Sequence, residues 1–159
     1  MITFKHVYTN DEYEDTVVNE DLLNEAPQQN MQQQVADPNV GKAKAVEFFA
    51  RVRAAATAMH FFHLITPSYA QHVASQTFYD EIIDLVDTFC ETFIGRYGKF
   101  EVMPNVKEPA TDGLQIVGNL TKWVDANRMA ISDLSEIQNE IDNIVNLCNS
   151  TAYKLRELK

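Results

Sequence analysis

The sequence predicts an all-α fold: four helices in an up-down bundle, preceded by a long acidic N-terminal arm. Three observations carry that expectation. Apolar residues recur at three- and four-residue spacing in four separate segments, proline and glycine interrupt the chain between them, and apart from Phe4 and Val7 nothing reads as a strand. At 159 residues and 45% hydrophobic content the chain suits one domain with a single buried core.

Residues 1–40 form the arm. They hold eight acids against Lys5, which accounts for −7 of the net −10, together with Pro27, Pro38 and the run from Gln28 to Gln34. Such a composition buries too little surface to offset the entropy of ordering. Scattered anchors (Phe4, Val7, Tyr8, Tyr13, Val17, Leu22) fit an arm that orders against a protein partner or a neighbouring subunit. Residues 41–159 form the bundle.

The first helix is expected over about 42–65, with Val46, Phe49, Val52, Ala56 and Met59 as its apolar stripe and His60 and His63 continuing it. Pro67 ends it by disfavouring the α region at Thr66 and removing a backbone donor, and it suits the first turn of a second helix capped by Thr66. That second helix should run over 67–95. Tyr69, Ile83, Val86, Cys90, Ile94 and Tyr97 fall on its inner face, widened by Ile82, Phe89 and Phe93; His72 lies within that face, and Gln76, Asp80, Asp84, Asp87 and Glu91 line its border. Residues 95–111 carry two glycines and two prolines and read as an extended connection, long enough to cross the end of a bundle. A short third helix, weakened by Gly113 and Gly118, is expected over 112–126 behind Thr111 or Asp112 as cap. The fourth, over 132–157 and capped by Ser132 or Ser135, is the most periodic. Leu134, Ile137, Ile141, Ile144, Cys148, Thr151, Leu155 and Leu158 step by three and four, close to a heptad seam.

The histidines and carboxylates of the first helix pair have a recognisable spacing. His60 is followed by His72 twelve residues on, by Asp87 fifteen later and by Glu91 four further. This pattern resembles the metal-ligand pattern of the Dps-like mini-ferritins, within the ferritin-like superfamily. The HxxH, SYAxH, FYDxIIDLVD and Gly-x-Tyr-Gly wording also resembles phage-encoded ferritin-like proteins of unknown function. The resemblance covers about a third of the chain. It implies a homo-oligomer, at least a dimer, in which His60 and His72 of one subunit and Asp87 and Glu91 of a two-fold-related subunit bind iron. Ferroxidase-type oxidation by peroxide or dioxygen would follow, with His63, Gln76 and Asp84 around the site. Imidazole with carboxylate is a mixed set suited to Fe(II).

Departures favour a second expectation. Gln76 stands where mini-ferritins commonly have Asp, Phe61 where they have Trp, and no Glu-x-x-His occurs, so no di-iron centre inside the bundle is expected. The alternative is a metal-free ferritin-like bundle acting as a phage structural or interaction protein, with the acidic arm as its contact element. A histidine on an apolar face is, moreover, commonly a hydrogen-bonded core residue.

Charge and motif content exclude other classes. A net charge of −10 repels phosphate, so no nucleic-acid binding is expected. No apolar run approaches a membrane span and the N-terminus has no signal-peptide pattern. The chain is therefore expected in the cytoplasm, that of a host or within a virion if a phage encodes it. No GxSxG, GxxxxGK[ST] or GxGxxG occurs, and Cys90 and Cys148 read as small buried hydrophobes.

Overall fold

A computed structural model describes residues 38–158, which form four α-helices: α1 (Pro38–Ile65), α2 (Tyr69–Tyr97), α3 (Gly113–Ile131) and α4 (Ser135–Glu157). The predicted arm lies outside the described residues except for its last three, which open α1. Proline at the first helical position needs no N–H donor, so α1 starts at Pro38 rather than near 42.

The helices pack in the ring order α1, α2, α4, α3. Gly113 at the start of α3 sits against Phe62 and Leu155, and Gly41 near the start of α1 sits against the Ile131 carbonyl. One bundle end therefore gathers the C-termini of α1 and α4 with the N-termini of α2 and α3, and α2 and α3 run in the same direction. The connection between them must then travel the length of the bundle. It does so beside α1, touching it near Lys42 at one end and near Phe61 at the other. This single long crossover is the connectivity of ferritin-like bundles. It lies lengthwise, where the sequence suggested a passage across one end.

The α4 seam is buried as predicted at Ile137, Ile141, Ile144, Cys148, Thr151 and Leu155, whereas Leu134 and Leu158 at its two ends are half-buried and exposed. Facing it are Phe78, Ile82, Val86, Phe89 and Phe93 of α2 and Phe48, Val52, Ala55 and Met59 of α1. Phe48 sits edge-on to Phe89, with ring centroids 4.8 Å apart, and parallel to Trp123, so it joins three helices. Trp123 donates its indole N–H to Glu47 at 3.2 Å, and Arg51 donates to the same carboxyl at 2.8 and 3.0 Å. Burial pushes the Glu47 carboxyl up, but hydrogen bonds from Arg51 and Lys44 outweigh it and hold the group below the usual carboxylate range.

Helix ends explain the remaining differences. Ser68, not Thr66, caps α2: its side chain accepts from the Gln71 N–H at 3.3 Å, and the helix begins at Tyr69. Asp112 caps α3 through the Gln115 N–H, as predicted. That helix extends past the predicted 126, because Ile131 is buried and Arg128 donates to Gln138 and Asp142 of α4 at 2.6 Å each. Neither predicted serine caps α4. Ser132 is buried in the turn, bonded to Tyr97 at 2.9 Å and to the Leu134 N–H, and the cap position falls to Leu134, which has no side-chain cap.

Two expected outcomes arise from this packing. A Cβ added at Gly113 would meet Phe62 at 2.8 Å and Leu155 at 2.9 Å. Both contacts are side-chain atoms that can shift, so Gly113→Ala should lower stability by about 1 kcal/mol in urea titration. Unchanged stability would contradict the close approach of α1, α3 and α4 there. Cys90 and Cys148 are buried and unpaired, and burial pushes both thiols up to about 12, helped at Cys90 by Asp87. A thiol held neutral in the native state contributes stability that is complete below its unfolded value and is lost as pH rises towards the native one. Stability should thus fall between pH 9.0 and about 12, and a disulfide thiol reagent at pH 8 should label neither cysteine until the protein is unfolded.

Candidate functional site: a histidine clasp at the helix-pair tip

The turn from α1 to α2 begins with a backbone problem. The carbonyl of His63 would normally accept from the N–H of residue 67, which is Pro67 and has none. The His72 ring solves it, with Nδ1 donating to the His63 carbonyl at 3.0 Å. The contact is reciprocal, because His63 Nδ1 donates to the His72 carbonyl at 2.9 Å. The two imidazoles consequently lie face to face, centroids 3.6 Å apart and tilted by 25°. Carbonyl oxygens only accept, so both Nδ1 atoms carry protons, and in the neutral rings the lone pair is on Nε2.

Neighbouring polar groups hold this clasp in place. Ser75 is fully buried beneath it, its hydroxyl 2.7 Å from the Gln71 carbonyl and 2.9 Å from the His72 carbonyl. Thr66 donates to the Gln71 side chain at 2.6 Å and accepts from the Ser68 N–H, which fixes the turn. Tyr79 presents its edge to His63 at 5.3 Å and lies 4.5 Å from the His60 ring.

Of the predicted site residues, the fold brings three together. His63 is buried, His72 is half-buried, and His60 stacks beside Tyr79 at 6.1 Å from His63. His60 itself is exposed, contrary to the expectation that all three histidines face buried surface. Gln76, Asp84, Asp87 and Glu91 are exposed along α2. Asp87 lies about 22 Å from His72 along the helix axis, with Glu91 a turn beyond. Among the described residues no three His, Cys, Asp or Glu side chains converge as metal ligands. Within one chain, therefore, the two ligand pairs implied by the resemblance do not fit a common ion.

Two features went unread in the sequence. Residues 54–79 contain no Lys, Arg, Asp or Glu, a run of 26 in a chain that is 23% charged. This uncharged stretch is the tip of the α1–α2 pair, and apolar side chains cluster there. Phe61, Leu64, Ile65, Tyr69, Val73 and Leu158 are six of the ten exposed large hydrophobics among the described residues. Tyr69, expected to face inward, is 82% exposed. With Val73 and Leu158 it lines a groove of about 700 Å³ between α2 and α4, where Lys154 and Glu157 also lie.

These features define a four-helix bundle whose first helix pair is locked by paired histidines and ends in an uncharged, apolar tip. The chain belongs to a family of unknown function, DUF5856, whose model matches residues 63–155. The matched segment begins at His63, so it takes in both members of the clasp and leaves His60 outside. It is not a mini-ferritin model, so the spacing of His60, His72, Asp87 and Glu91 remains a resemblance only. The chain is also similar to the uncharacterized 14.6 kDa protein in the mobD-ri intergenic region of Enterobacteria phage T4. The two are 28% identical over 116 residues, covering 71% of this chain and 88% of that protein. No solved structure matches. No helix among the described residues is long and apolar enough to cross a membrane.

Proposed function

We propose that this chain is a metal-free, phage-type assembly protein that pairs with a second copy of itself through the α1–α2 tip. The observation that carries this reading is the tip itself: uncharged over residues 54–79, with Leu64, Ile65 and Tyr69 more than 60% exposed. Loss of charge with enrichment in aromatic and aliphatic side chains is the composition of an interface centre. Lys154 and Glu157 at the rim make no ion pair among the described residues, so a two-fold contact would set each against its opposite in the other copy. The clasp supplies what such a surface needs, a rigid turn.

One observation favours a second reading, iron bound between subunits. With Nδ1 of His72 tied to a carbonyl, its Nε2 is oriented as a ligand, as in many metal sites. His60 and His72 would then hold the ion together with Asp87 and Glu91 of a two-fold-related copy. That arrangement lays α2 alongside α2, and the exposed acids Asp80, Glu81, Asp84, Asp87 and Glu91 would oppose each other without bound cations.

Sedimentation velocity with metal analysis separates the readings. A dimer that forms without metal, and stays metal-free after anaerobic Fe(II) loading and desalting, is the expected result. A chain that is monomeric at about 100 µM overturns the assembly reading. Stoichiometric iron that disappears with His60→Ala or Glu91→Ala would establish the second.

A further inference from the structure

The long crossover and α1 enclose a second surface, at the side of the bundle. Three grooves follow one another along α1, of about 380, 320 and 280 Å³. The first and second share Pro104, and the second and third share Ala54, Thr57 and Val106, so they form one channel from Lys42 to Phe61. The helical rise from Lys42 to Phe61 makes that channel about 29 Å long. Its floor is apolar: Val46, Phe49, Phe61 and Phe100, with Val102 and Met103 of the crossover 74% and 56% exposed.

Two further properties say what fits there. Seven of the 13 basic residues fall within residues 41–53 and 96–107, where Glu47 and Glu101 are the only acids, in a chain of net charge −10. Arg51 and Lys44 are engaged with Glu47, but Lys42, Arg53 and Lys107 line the channel without an ion-pair partner among the described residues, outnumbering Glu101 and Glu108, the two acids that line it. Glu108 at the far end is already engaged, accepting from the Ala110 N–H and from Asn119. The second property is the backbone. Among the described residues, 99–111 make no backbone–backbone hydrogen bond, so an extended, exposed segment with free N–H and C=O groups forms one wall.

We infer that this channel binds an extended acidic peptide segment with apolar anchor residues. Such a peptide adds its backbone to the crossover as a strand adds to a sheet edge, sets alternate apolar side chains on the α1 floor and presents carboxylates to Lys42, Arg53 and Lys107. The charge asymmetry selects an acidic partner over a basic one. The apolar floor and unpaired backbone select a peptide, with side chains to bury and a backbone to pair, over a nucleic acid. The inference does not depend on self-association at the tip.

The test is fluorescence polarisation with the full chain and a labelled twelve-residue peptide of alternating Glu and Leu. Saturable binding is expected, weakened about tenfold or more by Arg53→Glu with Lys107→Glu. Val102→Pro, which deletes a backbone donor from the wall while keeping charge, should also weaken it. A peptide with Lys in place of Glu should not bind. The inference is overturned if the acidic peptide fails to bind, if the charge reversals leave its affinity unchanged, or if a twelve-nucleotide oligothymidylate binds as tightly. Both charged side chains are at the surface, so the variants fold, and unchanged circular dichroism checks this.

Discussion

His72→Ala is expected to lower the stability of the bundle by about 2 kcal/mol, measured by urea titration. The loss has two parts: a buried His63 carbonyl left without a donor, and a ring removed from a 3.6 Å stack. The opposite truncation is not equivalent. In His63→Ala the carbonyl of His72 still has the Ser75 hydroxyl at 2.9 Å, so that variant loses packing more than hydrogen bonding. The cause can be isolated with Pro67. If the clasp exists because Pro67 has no N–H, then Pro67→Ala offers the missing donor, and the double variant should be less destabilised than the sum of the single ones. Strict additivity would mean that the His72 ring contributes packing alone.

The clasp explains why the site was only half legible in the sequence. His60, His63 and His72 stand out as the histidines of an otherwise uncharged stretch, and Pro67 marks the turn between them. That a proline orphans a particular carbonyl, and that a ring nine residues later answers it, depends on how α2 lies back on α1. No periodicity encodes that. The spacing of His72, Asp87 and Glu91 is equally visible, but on one continuous helix it places the carboxylates about four turns from the clasp.

The fold was more legible, and part of what stayed hidden has a single physical cause. A 3.6-residue period gives the direction in which a side chain points, not whether a neighbouring helix reaches that height. The α4 seam is buried from Ile137 to Leu155, yet Leu158, on the same stripe, is 46% exposed because it lies at the bundle end. Tyr69 is exposed for a different reason: it lies half a helical circumference from the buried Phe78, so the inner face of α2 centres on Phe78, Ile82, Phe89 and Phe93 rather than on Tyr69, Ile83 and Ile94. His60 is likewise exposed by its direction, since Phe62 and His63 beyond it on α1 are buried. Leu64 and Ile65 lie at the very end of α1, and with Tyr69 and Val73 of α2 and Leu158 after α4 they make an exposed apolar tip.

That geometry sets the expectation with the largest functional effect. Ile65→Glu with Tyr69→Glu should turn a dimer into a monomer, weakening association by more than about 100-fold. Leu64, Ile65, Tyr69, Val73 and Leu158 each offer on the order of 100 Å² of apolar surface, so a two-fold contact through them buries about 1,000 Å² in all. This is near the lower bound for a specific interface, so two buried carboxylates are enough to abolish it. Both positions are already exposed, at 68% and 82%, so the urea midpoint of the monomer should not move. Stability lost together with association would assign these residues to the fold instead. The charged rim gives a finer check. Lys154→Glu or Glu157→Lys alone sets like charges against each other across the two-fold axis and should weaken pairing, whereas the double swap should restore it. A double swap no better than either single variant would remove these two residues from the contact, and an Ile65→Glu, Tyr69→Glu chain that still sediments as a dimer would remove the tip.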